Sequence, residues 1–149
     1  MTEKIIILDF GSQFTQLIAR RIREANVYCE IQPFHQPINL NDNAIKGIIL
    51  SGSPFSVNDE KHLEVDVQSL AKARPVLGIC YGAQLTARFF GGTVAKSNKR
   101  EYGRAYLKHQ SPDSLFHHVS EMTQVWMSHS DSIVQLPDGF ELLGHTDSI

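Results

Sequence analysis

The chain has 149 residues and 42% hydrophobic content, which suits one domain that buries roughly 68–70% of the surface of its unfolded chain. Its 14 basic and 16 acidic side chains give a formal net charge of −2, so it lacks the basic field that attracts nucleic acid or anionic lipid. The apolar run Ile5 to Leu8 is too short for a signal peptide or a membrane span, and two cysteines are too few for a disulfide scaffold or a zinc site. We therefore expect a cytoplasmic protein with no metal, nucleic-acid or membrane partner.

Up to residue 90 the sequence alternates between strand and helix patterns. Unbroken apolar runs predict buried strands at Lys4 to Leu8, Val27 to Phe34, Gly47 to Leu50 and Val76 to Ile79. Helical spacing predicts helices from Phe14 to Ala25, Leu63 to Ala73 and Tyr81 to Phe90. In the first of these helices, the predicted buried face consists of Phe14, Leu17, Ile18, Ile22 and Ala25. This alternation predicts an α/β fold with an open, mostly parallel sheet flanked by helices.

The pattern changes after Gly91-Gly92, a pair that ends the last predicted helix. Short strand-like segments follow, separated by turn-forming residues such as Ser111-Pro112-Asp113. The segments are Arg104 to Lys108, Gln124 to Met127 and Phe140 to Leu143. We expect a β-rich second half within the same domain.

Chemistry is indicated most strongly where a buried strand leads into a helix at Cys80. Gly78 and Gly82 stand two residues before and two after this cysteine, the spacing that lets a sharp nucleophile elbow close without clashes. A helix start favours thiolate over thiol, and the N–H of Tyr81 could stabilise an oxyanion there. Gln84 lies one turn further on the same face. The other cysteine, Cys29, is expected to fill the core.

Two further strand ends are expected at the same edge of the sheet. After the third strand comes Ser51-Gly52-Ser53-Pro54, where the Gly52 N–H could complete an oxyanion hole with Tyr81; the alternative is an ordinary strand-end turn. After the first strand, Asp9-Phe10-Gly11-Ser12 is expected to be a plain tight turn, since one glycine is not a nucleotide-binding fingerprint.

One histidine has a sequence context that suits ligand contact. His129 follows an apolar segment and is surrounded by hydrogen-bonding residues in Ser128-His129-Ser130-Asp131. A dyad of His145 and Asp147 is disfavoured so near the last residue. The other histidines lie in polar or turn-like contexts and are expected to be solvated: His35, His62, His109, His117 and His118.

The whole chain resembles the class I (triad-type) glutamine amidotransferase domain of GMP synthetases. Ile6 to Arg21 is similar to the opening of that synthetase domain, Gly78-Ile79-Cys80-Tyr81-Gly82-Ala83-Gln84 to the nucleophile motif of the whole class, and Trp126-Met127-Ser128-His129 again to the synthetase branch. The resemblance implies a class I amidotransferase-like, flavodoxin-like fold. It also implies that Cys80 forms a glutamyl thioester and releases ammonia, with Gly52 and Tyr81 at the oxyanion and Gln84, Ser128, His129 and Asp131 at the glutamine.

For the full-length protein, the resemblance implies a homodimer in which a synthetase (ATP-pyrophosphatase) domain uses ATP and Mg²⁺ to aminate XMP to GMP. No cofactor is implied for the amidotransferase domain itself. The family takes its catalytic base from a His-Pro-Glu motif that does not occur in this sequence. We therefore expect residues 1–149 to be most of an amidotransferase domain, ending before its last strands and inactive alone. Ser53 and Ser130 also replace usual glycines, which implies strain if either backbone needs positive φ.

Two alternatives stay open. The chain could be a non-catalytic module that only docks on a synthetase partner, or the elbow could serve peptidase or deglycase chemistry, because a fold alone does not define a substrate.

Overall fold

The computed structural model describes residues 2–61, 63–110 and 114–149. By its internal contacts the chain groups into two compact units, Met1–Phe89 and Phe90–Ile149. Two sequence-based expectations, the turn at Ser111-Pro112-Asp113 and a solvated His62, lie outside the described residues.

The first unit is a parallel sheet with helices packed on it, as the sequence predicts. Its four strands lie in the order β2-β1-β3-β4, which is the order of flavodoxin-like sheets. Helix α1 packs on β1 and β2, α3 packs on β3 and β4, and α2 packs on α3. In chain order the elements are β1 (Lys4–Asp9), α1 (Thr15–Glu24), β2 (Tyr28–Pro33), β3 (Ile45–Leu50), α2 (Val67–Ala73), β4 (Val76–Gly78) and α3 (Tyr81–Phe89).

Cys29 belongs to the core of this unit, as expected. It is 2% exposed, packs with Ile7 and Ala19, and its thiol donates a 3.5 Å hydrogen bond to the Ala19 carbonyl oxygen. Partly buried isoleucines from α1 and three strands surround this cluster, and burying one such side chain fully contributes about 1.5–3 kcal/mol. The apolar runs of the sequence therefore become the contact between α1 and the sheet.

Helix α1 differs from the prediction in which side it buries. Thr15 and Ala19 are its buried residues, whereas Phe14 and Leu17 are 50% and 46% exposed. The Thr15 hydroxyl donates to the Asp9 carboxylate at 2.8 Å, which rotates the helix so that the small residues face the sheet. Hydrophobicity alone placed Ile18 and Ile22 correctly, since both pack against the core, but it misplaced Phe14 and Leu17, because a hydrogen-bonded threonine and an alanine occupy the centre of the buried face.

Helix α2 begins four residues later than predicted. The Asp66 carboxylate accepts a 3.0 Å hydrogen bond from the Ser69 N–H and so caps the helix start. Leu63 is held outside the helix, because its N–H and carbonyl group both bond to the Tyr81 hydroxyl, at 2.9 and 2.7 Å. A tertiary contact overrides local helical spacing here.

The second unit is β-rich, as predicted, but its strands are longer than the apolar segments indicate. The long strands β5 (Thr93–His109) and β6 (Met122–Gln135) pair antiparallel, and β7 (Gly144–His145) pairs with β5. The predicted strand Phe140 to Leu143 is wrong, because β7 starts just after it. A short 3₁₀ helix covers Ser114–Phe116. His109 is buried at 8% exposure and stacks on Phe116, contrary to the solvated position expected for it.

Two glycines let α3 approach the sheet backbone closely. A Cβ at Gly82 would collide with the Leu50 carbonyl oxygen, and a Cβ at Gly78 would lie 2.6 Å from the Ala83 nitrogen. In place of those clashes the Gly82 N–H donates to the Ser51 carbonyl oxygen at 3.1 Å. The start of α3 is thus fixed on the end of β3.

We expect Gly82→Ala to destabilise the protein by about 2 kcal/mol, because backbone atoms cannot yield to the added methyl group. The direction of this change separates the steric clash from helix propensity, since alanine normally stabilises a helix by about 1 kcal/mol relative to glycine. The control is Gly47→Ala, where the nearest atom is the flexible end of Ile5 at 3.1 Å. Urea denaturation of both variants measures the difference, and equal midpoints would contradict the close-approach explanation.

Candidate active site

Three loops of the first unit meet at one edge of its sheet. Strands β1, β3 and β4 are parallel neighbours, so the residues that follow Asp9, Leu50 and Gly78 leave the sheet on the same side. Ligands of open α/β sheets bind at this edge, at the point where strand order reverses. Here that point lies between β1 and β3.

The strand-to-helix turn predicted at Cys80 is confirmed, and its backbone conformation is unusual. Cys80 has φ +50°, in the left-handed region that a non-glycine residue rarely adopts. The N–H of Ile79, the preceding residue, donates to the Leu50 carbonyl oxygen at 2.9 Å. The Cys80 carbonyl oxygen accepts from the Gln84 N–H at 3.0 Å. These bonds hold the turn in a conformation that costs about 1–2 kcal/mol, as strained functional positions are held elsewhere.

The Cys80 side chain is exposed, yet its thiol is partly surrounded by protein. This burial raises the pKa of the Cys80 thiol, because it disfavours the charged thiolate. From the field of the helix start alone, the sequence predicts a lowered pKa for this thiol. The described structure therefore presents an accessible thiol whose pKa lies above its ordinary value.

Gly52 lies directly beside Cys80. A Cβ built on Gly52 would be 3.6 Å from the Cys80 Cβ and 3.4 Å from the Ser12 hydroxyl oxygen. Within the described residues, neither the Gly52 nor the Tyr81 N–H donates a hydrogen bond, and a first helical residue such as Tyr81 has no intrahelical acceptor. Two backbone N–H groups close in the chain or in space to Cys80 thus have no acceptor among the described residues, and paired donors of this kind are what a tetrahedral oxyanion requires.

The other two expected residues of α3 are buried next to this turn. The Tyr81 ring is 2% exposed and packs on Phe10 with ring centroids 5.5 Å apart. Burial also raises the pKa of the Tyr81 hydroxyl. Gln84, one turn after Cys80, is 9% exposed. The structure therefore brings Gly52, Cys80, Tyr81 and Gln84 together within the first unit.

The remaining expected residues, Ser128, His129 and Asp131, lie in the second unit. They belong to β6, which continues beyond the predicted segment Gln124 to Met127. The pairing register with β5 shifts opposite them, between Lys96 and Glu101. His129 donates from Nδ1 to the Asp131 backbone oxygen at 3.0 Å, while Ser128 is exposed and Asp131 is buried. A polar run inside a strand gives no alternating apolar pattern, which explains the missed strand.

The serines that replace usual glycines carry no left-handed strain. Among the described non-glycine residues only Asn26, Cys80 and His118 have positive φ. Ser53 and Ser130 are therefore in conformations that serine adopts readily. The backbone strain that a positive φ would cause is therefore absent at Ser53 and at Ser130.

Sequence reasoning missed Ser51 as a structural part of this site. It is fully buried, and its hydroxyl bonds to backbone groups of two loops at this sheet edge, the Phe10 N–H after β1 and the Gly52 carbonyl oxygen after β3. The available signal was its position: a hydroxyl directly after a buried strand, at the edge where ligands bind.

The described residues include no group of three or more His, Cys, Asp or Glu side chains arranged to hold a metal ion. Likewise, no helix in the described part of the chain has the length and apolar character needed to cross a membrane.

Comparison with known sequences connects this geometry to one family. The model of the class-I glutamine amidotransferase family matches residues 6–149. The chain is 53% identical over 150 residues to a glutamine-hydrolyzing GMP synthase of Cytophaga hutchinsonii and 50% identical over 151 residues to one of Porphyromonas gingivalis. Each alignment covers 100% of this chain and 29% of the relative, so the chain spans less than a third of the length of these relatives.

Solved structures share the fold. A Thermoplasma acidophilum protein assigned as a GMP synthase subunit superposes with a TM-score of 0.77 at 27% identity, covering 99% of this chain and 75% of that one. A glutamine amidotransferase of Thermotoga maritima superposes with a TM-score of 0.79 at 20% identity, covering 99% and 69%. Both confirm the predicted α/β fold class.

The left-handed backbone at Cys80 predicts an inverted ranking of two substitutions. We expect Cys80→Gly to be more stable than Cys80→Ala by about 1 kcal/mol, because glycine alone adopts φ +50° without strain. At Gln16, an exposed residue of α1, glycine should instead be less stable than alanine by about 1 kcal/mol. Urea denaturation of the four variants measures both differences; the same ranking at both positions would contradict the strain.

The ionisation of Cys80 gives a second prediction, on pH dependence. Burial disfavours the thiolate, so the rate of Cys80 alkylation by iodoacetamide should rise with pH around a midpoint above that of the same cysteine in the urea-unfolded chain. Mass spectrometry of the Cys80 peptide measures both profiles. A lower midpoint in the folded protein would mean that the helix start outweighs burial.

Proposed function

The chain belongs to the class-I glutamine amidotransferase family, and we propose that Cys80 is the nucleophile with which it hydrolyses the side-chain amide of glutamine. The observation that carries this proposal is the position of Cys80: a left-handed elbow residue with the Gly52 backbone against it. Nucleophilic catalysis of amide hydrolysis needs such an accessible thiol beside donors for the developing oxyanion.

The first half-reaction forms a thioester. A base takes the thiol proton, because burial raises the pKa of Cys80; the resemblance assigns this role to a histidine of a His-Pro-Glu motif. The thiolate sulfur then bonds to the amide carbon of glutamine, and the carbonyl oxygen becomes an oxyanion between the Gly52 and Tyr81 N–H groups. The oxyanion collapses, the C–N bond breaks, and the nitrogen leaves as ammonia after taking up a proton.

The second half-reaction restores the enzyme. Water adds to the thioester carbon in the same oxyanion site, the C–S bond breaks, and glutamate leaves. Both half-reactions pass through a tetrahedral oxyanion, so the two backbone donors act twice in one cycle.

Four further residues are proposed to hold the amino-acid substrate. Gln84 stands one turn beyond the nucleophile, where it can contact the substrate near the reacting carbon. Ser128, His129 and Asp131 supply hydroxyl, imidazole, carboxylate and backbone groups suited to the charged ends of glutamine.

For the whole protein, we propose amination of XMP to GMP. The support is the 50–53% identity to glutamine-hydrolyzing GMP synthases along all of this chain. Ammonia released from glutamine at Cys80 would then pass to a synthetase domain that uses ATP and Mg²⁺, within a cytoplasmic homodimer. The amidotransferase domain itself needs no cofactor in this scheme, because its chemistry is nucleophile, proton transfer and oxyanion stabilisation.

We also propose that residues 1–149 turn over glutamine slowly or not at all by themselves. The support is that residues 1–149 contain no His-Pro-Glu motif to supply the base, while burial raises the pKa of the Cys80 thiol. The same observation favours the second candidate function, a module that only docks on a synthetase partner. Steady glutamine hydrolysis by residues 1–149 alone would refute both statements.

The test of the main proposal is labelling with an electrophilic glutamine analogue, such as a chloroketone. In the complete protein that carries this chain, the analogue should alkylate Cys80 stoichiometrically, and excess glutamine should slow the labelling. Cys80→Ala should lower kcat for ammonia release by about 10³-fold or more, since it removes the nucleophile.

The matched control is Cys29→Ala, which removes the other cysteine without touching the sheet edge. It should lower stability by cavity formation, by about 1 kcal/mol, with kcat unchanged. Unmodified Cys80, or full ammonia release by Cys80→Ala, would refute the proposed nucleophile. Cleavage of peptides without any dependence on glutamine would instead favour peptidase chemistry.

A further inference from the structure

We propose that Ser51 is a positioning residue of this reaction: its carbonyl group orients the Gly52 N–H, and its buried hydroxyl orients the adjoining Gly52–Ser53 peptide, so that this loop presents its N–H groups to the oxyanion. The proposal rests on the glutaminase function proposed above. Ser51 is not offered as a group that touches the substrate.

Every polar group of Ser51 has a partner, and Ser51 is 0% exposed. Its N–H donates to the Leu8 carbonyl oxygen at 3.1 Å, and its carbonyl oxygen accepts from the Gly82 N–H at 3.1 Å. Its hydroxyl oxygen accepts from the Phe10 N–H at 3.0 Å and donates to the Gly52 carbonyl oxygen at 2.9 Å. One residue thus joins the end of β1, the Gly52 loop and the start of α3.

These bonds define both peptide planes that flank Gly52. In a planar trans peptide the carbonyl and the N–H point in opposite directions. The Ser51 carbonyl, held by Gly82, therefore sets the direction of the Gly52 N–H. The Gly52 carbonyl, held by the Ser51 hydroxyl, sets the direction of the Ser53 N–H.

Gly52 needs such restraint because a glycine is the most easily rotated residue of a chain. A loop with one unrestrained peptide would populate orientations in which an N–H points away from the substrate. Oxyanion stabilisation depends on donors that are already oriented when charge develops. The Ser51 hydroxyl is the described side chain that bonds to the Gly52 carbonyl, and it does so at the strand-order reversal between β1 and β3.

The test is Ser51→Ala in the complete protein. We expect kcat for glutamine hydrolysis to fall by about tenfold to a hundredfold, less than the loss of a whole donor, with KM for glutamine nearly unchanged. The affinity of an aldehyde analogue of glutamine, which adds to the Cys80 sulfur as a tetrahedral adduct, should fall by the same factor. Alkylation of Cys80 by iodoacetamide, which forms no oxyanion, should keep its wild-type rate and pH midpoint.

A merely structural role predicts a different pattern. The control is Thr15→Val, which removes another buried hydroxyl and its 2.8 Å bond to Asp9. It should lower the unfolding midpoint as Ser51→Ala does, with kcat and aldehyde affinity unchanged. Equal kcat losses in both variants, or a Ser51→Ala enzyme with wild-type kcat, would overturn the positioning role.

A second variant covers the case in which Ser51→Ala does not fold. Ser51→Cys keeps the shape and replaces the hydroxyl by a weaker donor and acceptor, so kcat and aldehyde affinity should fall together by a smaller factor. Wild-type values for both would overturn the inference.

The two proposals fail in distinguishable ways. If the glutaminase function is wrong, the wild-type protein releases no ammonia from glutamine and does not bind the aldehyde analogue, and both proposals fall. If only the inference is wrong, wild type and Ser51→Ala are equally active while Cys80→Ala is inactive.

Discussion

The approach of the α3 backbone to the end of β3 is the constraint on which the rest of the site depends. Gly82 packs so tightly on Leu50 that no side chain fits, and its N–H bonds to the Ser51 carbonyl oxygen. This contact leaves no room for a longer connection from β4, so the chain reverses within two residues. The reversal is what gives Cys80 its left-handed conformation and brings it against Gly52. Packing of the Gly82 backbone on Leu50 thus accompanies the geometry of Cys80.

In the proposed mechanism the site is better prepared for the oxyanion than for the thiolate. The proposed donors, the Gly52 and Tyr81 N–H groups, belong to the sheet edge and to the helix start, and backbone donors placed in this way need little reorganisation when charge develops. The thiol of Cys80 meets two opposing effects, since the helix start favours its ionisation whereas burial raises its pKa. The pKa of the thiol lies above its ordinary value, so the proposed mechanism includes transfer of the thiol proton to a base.

Features that depend on local backbone requirements could be predicted from the sequence, and features set by tertiary hydrogen bonds could not. The spacing of Gly78, Cys80 and Gly82 specified the elbow because only glycine satisfies that close approach, and apolar runs specified the parallel sheet. On α1, Ile18 and Ile22 pack on the core as predicted, whereas Phe14 and Leu17 do not, because the helix also places the hydrogen-bonded Thr15 against the sheet. The proposed role of Ser51 could not be predicted for the same reason, because it depends on tertiary hydrogen bonds and a sequence does not distinguish a buried serine from a solvated one.

The strain at Cys80 also has an evolutionary consequence. At this position the backbone favours glycine, and cysteine and glycine codons differ by one nucleotide. If Cys80 is the nucleophile proposed above, a lineage that obtained ammonia from solution rather than from glutamine would gain stability by the very substitution that abolishes it. Selection for glutamine use would then have to act continuously to keep a sulfur atom at this turn, and glycine at this position in a relative would identify a protein that has lost the proposed activity.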